Sequence, residues 1–117
     1  MAAVLISSDL MLSSRVSGVA SQVGLSLKTA SNTDSAINEC TEGDVTLVLI
    51  DLNLPKMDMK ALVETLRELP ISSLSIVAFG PHVHEAKLSA ARQLGCDEVL
   101  ARGQFLGQLE GVLSKGL

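Results

Sequence analysis

Three features of this 117-residue chain predict a doubly wound α/β domain: a five-stranded parallel sheet of order 2-1-3-4-5 in a three-layer α/β/α arrangement. Five short apolar runs recur at a spacing of about twenty to thirty residues, the length of a strand and its crossover helix. The gaps between them carry apolar residues at helical spacing. No linker or low-complexity stretch interrupts the alternation, so residues 1–117 are expected to form a single domain.

The first strand is AAVLI, residues 2–6, and the helix after it is marked by Leu12, Val16, Val19 and Val23. LSLKT at 25–29 is the second strand, followed by a weaker helical segment from Asn32 to Cys40. The third strand, VTLVLI at 45–50, reads as buried on both faces. Met59, Leu62, Leu66 and Leu69 then repeat at three, four and three residues. SIVAF at 75–79 is the fourth strand; its helix runs from Val83 to Leu94, with Gly95 to end it. EVLA at 98–101 is the fifth, and Phe105, Leu109, Val112 and Leu113 mark a final helix. In such a sheet the ligand crevice lies beyond the carboxyl ends of strands 1 and 3, which places Asp51 in it beside Ser7 and Ser8. Gly80 is expected to end strand 4 and Arg102 to end strand 5.

Composition narrows the function classes. Apolar residues make up 47% of the chain, yet the strongest apolar runs span only six or seven residues, too short to cross a membrane. Phe79 and Phe105 are its only aromatic residues, which disfavours the stacking platforms that bind single-stranded nucleic acid. The net charge of −4 is mild and the nine basic residues are scattered, so nucleic acid is not an expected partner. MAAVLISSDL lacks the basic segment of a secretion signal, and a cytoplasmic protein is expected. Cys40 and Cys96 have no metal-binding spacing and are expected to be reduced thiols.

Two motifs carry a family resemblance that spans about Ala2 to Lys115. IDLNLPKMD resembles the phosphoacceptor turn of response regulator receiver domains, with Asp51 at a strand end, Pro55 four residues on and Asp58 seven on. ARQLGCDEVLARGQF resembles the receiver's fourth helix, glycine turn, fifth strand and active-site loop. The resemblance implies the CheY-like, flavodoxin-like version of the predicted sheet and a place in two-component signal transduction. A working receiver transfers a phosphoryl group to its own Asp, and the negative charges that meet there need a metal ion and a cation to offset them.

At the other family positions the chain departs from the pattern. The acidic pair that helps bind Mg²⁺ falls on Ser7 and Ser8, the strand-4 Ser or Thr on Gly80, and the strand-5 Lys on Arg102 with Gly103 after it. The aromatic switch position falls on Val99. Asp51 remains, with the Asn53 backbone beside it. Asp9 reads as a helix N-cap, and Asp51 with two serine hydroxyls makes a poor Mg²⁺ site, so no cofactor and no metal are expected. With no side chain at Gly80, Arg102 either reaches Asp51 in a locking pair or points to solvent and leaves Asp51 solvated in a shallow pocket.

Other features have plainer readings. His82 and His84 would offer two metal ligands or flank an anion, but no close third ligand completes a set. Met57 and Met59 read as core or loop packing, and the serines of SSDLMLSSRVS as an exposed helix face. The reading is a degenerate receiver, or pseudo-receiver, with no catalytic residues: a phosphorylation-independent interaction module, not an enzyme. Its partner would be a histidine kinase or another signalling protein. A homodimer would form through the fourth helix, fifth strand and last helix, and no output domain is expected. The alternative is an atypical phosphoacceptor using Asp51 in a phosphorelay. A small-molecule binder ranks last, because no glycine-rich phosphate loop follows the first strand.

Overall fold

The computed structural model describes residues 1–71 and 73–117. Five parallel strands, β1 (Ala2–Ile6), β2 (Ser26–Ala30), β3 (Val45–Asp51), β4 (Ser75–Gly80) and β5 (Glu98–Ala101), form one sheet in the order β2-β1-β3-β4-β5, as the apolar spacing predicts. The helices are α1 (Leu10–Val23), α2 (Thr33–Glu42), α3 (Met59–Glu68), α4 (Glu85–Gln93), α5 (Arg102–Gly107) and α6 (Leu109–Leu113), closed by a 3-10 turn at Ser114–Gly116.

Side chains alternate across each strand, so the two faces of the sheet build two separate cores. Val4, Ile6, Val48, Ile50, Ile76 and Ala78 face α2, α3 and α4. Leu5, Leu47, Leu49, Val77 and Phe79 face α1, α5 and α6. With both faces covered, the central strands are continuous apolar runs, which is why β3 shows no polar alternation before Asp51.

Three helices start on side-chain caps. Asp9, Asn32 and Asp58 accept hydrogen bonds from the amides of Leu12, Ser35 and Ala61, at 3.1, 2.8 and 3.1 Å. α1 ends on Gly24 at φ +80°, a backbone conformation that favours glycine. The predicted final helix is divided at Gln108 (φ −122°) into α5 and α6. Gly103, Gly107 and Gly111 lower its helical preference, while Phe105, Leu109, Val112 and Leu113 are all buried as their spacing requires. Phe79 and Phe105 stack with ring centroids 3.9 Å apart and planes 4° from parallel, which fixes α5 against the end of β4.

Behind α4, Arg67 bonds the carbonyls of Leu74 and Gly95 and the carboxylate of Asp97, and Asp97 also accepts from the Ile76 amide. Burial pushes the Asp97 carboxyl up, but the Ile76 amide and the Arg67 guanidinium outweigh it and hold the group below the usual carboxylate range. Cys40, on α2, and Cys96, between α4 and β5, are both free thiols. Burial pushes Cys40 up to about 11 and also raises Cys96, so both resist ionisation.

Candidate functional site

The carboxyl ends of β1 and β3 meet because Ile6 pairs with Ile50, which brings the next residues, Ser7 and Asp51, side by side. Both are buried, at 5% and 4% exposure. The Ser7 hydroxyl donates to Asp51 Oδ2 at 2.7 Å, and the Asn53 amide donates to Oδ1 at 2.9 Å. Asn53 thereby closes a turn on Asp51, reinforced by the bond from the Leu54 amide to the Asp51 carbonyl at 3.1 Å. Each carboxylate oxygen thus has a donor from the protein, which repays part of the cost of holding the group out of water.

Ser7 does a second job: its Oγ accepts the Asp9 amide at 3.1 Å, which sets the turn from β1 into α1. Asp9 then caps α1 through Oδ1 and meets Arg102 through Oδ2, at 2.7 Å from Nη2. The Arg102 hydrogen bond, followed by the Leu12 amide, holds the Asp9 carboxyl below its ordinary range. Ser8 is exposed.

Arg102 does not reach Asp51, nor does it point free into solvent; it straps the start of α5 to the start of α1 through Asp9. The reason is local: Arg102 is the first residue of α5, not the last of β5, and the N-cap geometry of α1 brings the Asp9 carboxylate to it. Asp51 is likewise not solvated in a shallow pocket. Nor is the space beside Gly80 open. A Cβ at Gly80 would stand 3.2 Å from the Leu52 Cβ, with Leu88 also in contact range. Leu52, the residue directly after Asp51, packs over the glycine and is itself buried. Its signal in the sequence is the pairing of a large residue after β3 with a missing side chain at the end of β4.

The family of the resembling motifs uses Mg²⁺, and the donors here fit that ion poorly. Mg²⁺ needs near-octahedral oxygen ligands, usually with one or two carboxylates among them. Asp51 is engaged by two hydrogen-bond donors, Asp9 is engaged by Arg102 and Leu12, and serines occupy the other two positions. No group of three or more His, Cys, Asp or Glu suited to a metal ion occurs among the described residues. His82 is exposed in the turn before α4, and His84 occupies the N-cap position of α4 without a side-chain capping bond. Val99 is half-buried against the core that faces α4.

The family model of the response regulator receiver domain matches residues 4–111. Among solved structures, NtrX from Brucella abortus in complex with ADP superposes with a TM-score of 0.81 at 23% identity, over 100% of this chain and 27% of that one. The chain thus spans about a quarter of the length of that protein. A CheY-like receiver domain from Methylobacillus flagellatus gives 0.80 at 23% identity, over 100% and 98%. The receiver domain of Ssk1 from Saccharomyces cerevisiae, solved with the histidine phosphotransfer protein Ypd1, gives 0.77 at 18% identity, over 99% and 88%. These likenesses are likenesses of fold. No curated protein sequence matches the chain.

Proposed function

The chain belongs to the response regulator receiver domain family, and from that premise we propose that it is a degenerate receiver, a phosphorylation-independent protein-interaction module of signal transduction. The observation that carries this reading is the state of Asp51: buried, bonded on both oxygens by the chain itself, and in no ion pair among the described residues. Phosphoryl transfer to a carboxylate needs positive charge where negative groups converge. The candidate for that role, Arg102, is committed to Asp9 at 2.7 Å. Gly80 offers no strand-4 hydroxyl to bond a phosphoryl oxygen, and Leu52 packs against the position a side chain there would take.

On this reading Asp51, Ser7, Asp9, Asn53, Gly80 and Arg102 hold one fixed conformation and catalyse nothing. Residues 1–117 act as one cytoplasmic receiver domain. Output is by docking, with the face of α4, β5 and the divided last helix, α5 and α6, offered to a protein partner or to a second copy. The Ssk1 receiver was crystallised with a phosphotransfer protein, and a histidine kinase or another signalling protein is the corresponding class of partner here.

The test is a titration with Mg²⁺ and beryllium fluoride, a mimic of phosphoaspartate, followed by backbone amide NMR. The expected outcome is no saturable shift around Asp51. Saturable shifts spreading from Asp51 to α4 and α5 would instead establish an atypical phosphoacceptor working in a phosphorelay.

A further inference from the structure

Beside the Asp51 turn lies a hollow of about 480 Å³, between the loop that follows β3 and the outer face of α4. We propose that it binds a small amphipathic anion, an aliphatic carboxylate of medium chain length. Its size falls within the range of small-molecule sites. Leu52, Leu54, Met57 and Met59 supply apolar walls, and the two methionines, unbranched and polarisable, can adapt to a flexible chain.

The charges in the lining select the ligand's sign. Lys56 and Lys87 approach the hollow from the loop and from α4, and no acidic side chain lines it. Among the described residues neither lysine forms an ion pair, whereas Lys28 and Lys115 are matched to Glu39 and Glu98. Two unmatched cations flanking apolar walls, on a chain of net charge −4, favour an apolar tail ending in a carboxylate.

An occupant would also touch the residues that hold the Asp51 turn. Leu52 both lines the hollow and covers Gly80, and Asn53, at its edge, donates its amide to Asp51. Binding is therefore read at the carboxyl end of the sheet without phosphorylation.

Octanoate titrated into the full chain tests this, with octanamide as its neutral match, by amide and methyl NMR. Saturable shifts are expected at Leu54, Met57, Met59 and Ala90, extending to Asn53 and Ser7. Octanamide is expected to bind about fivefold more weakly, and the double variant Lys56→Asn with Lys87→Gln to weaken octanoate by a similar factor. Asn suits position 56 because Lys56 sits at φ +59°, which Asn tolerates better than most residues. Lys87→Gln alone provides a milder second arm. No saturable shift, equal binding of octanamide, or shifts confined to other surfaces would each overturn the proposal. So would unchanged octanoate affinity in both lysine variants.

Discussion

Ser7 Oγ accepts from the Asp9 amide and donates to Asp51 Oδ2, so one hydroxyl joins the end of β1, the start of α1 and the end of β3. Removing it leaves a buried carboxylate oxygen and an amide short of partners at once. Ser7→Ala is expected to cost about 1–3 kcal/mol in urea unfolding; a loss within experimental error of zero would mean that water replaces the hydroxyl at no cost. Asp9 gives a prediction in pH. Its carboxyl is held low in the folded state by Arg102 and the Leu12 amide, whereas the unfolded chain titrates near 4. The folded state therefore binds fewer protons, and Asp9 contributes stability that is present above pH 4 and is lost as pH falls through the folded value. Asn is an equally good N-cap, so Asp9→Asn removes the charge and keeps the cap. The stability gap between the two proteins should be open at neutral pH and close in strong acid. A gap independent of pH would show that the Arg102 strap stabilises nothing.

α5 and α6 are where helix propensity and packing disagree. Phe105, Leu109, Val112 and Leu113 require a helical approach to the sheet, and three glycines resist a single rod; the outcome is a helix divided at Gln108. A Cβ at Gly107 would meet nothing within 4 Å, and its φ is not in the left-handed region. Gly107→Ala should therefore stabilise the chain by about 0.4–1 kcal/mol through the unfolded state. Gly116 makes the opposite case, since a Cβ there would stand 3.2 Å from atoms of Leu25 and Leu47. A melting temperature that falls for Gly107→Ala would mean the division at Gln108 needs glycine just before it. Phe105 is the anchor of this segment, fully buried and stacked on Phe79. Phe105→Ala is expected to cost about 3–5 kcal/mol in unfolding experiments. Elements of this kind were legible in the residues because burial writes itself as a short continuous apolar run or as period 3.6; the division was not, because propensity states where a helix is weak without stating whether packing overrides it.

Across the whole molecule, the order of the strands followed from the spacing of five apolar runs, since parallel pairing, right-handed crossovers and two buried faces leave few other arrangements. The composition of the Asp51 end was legible too, because it follows from strand ends alone. Which partner each side chain takes was not: whether Arg102 meets Asp51 or Asp9 depends on about one residue in where β5 stops and α5 starts, a boundary that periodicity does not resolve. Leu52 was missed because its role exists only opposite Gly80, just under thirty positions away in the chain and adjacent in space. On the degenerate reading proposed above, a balance of charge at one end of the sheet separates this chain from a metal-dependent receiver, and that balance has a measurable consequence for stability. Mg²⁺ that binds only the folded state raises stability by RT ln(1 + c/Kd), where c is its free concentration. On that reading the engaged donors around Asp51 offer the wild-type chain no such site, and its melting temperature should be indifferent to millimolar Mg²⁺. Ser7→Asp with Ser8→Asp places carboxylates at both positions of the acidic pair, the first of them against buried Asp51. Like charges converging there should destabilise the metal-free double variant by more than Ser7→Ala does. Added Mg²⁺ should then recover part of the loss, in a concentration-dependent way that the wild type lacks. If Mg²⁺ raises the wild-type melting temperature as steeply as that of the double variant, the metal site survives on Asp51 without the acidic pair, and the degenerate reading fails with it.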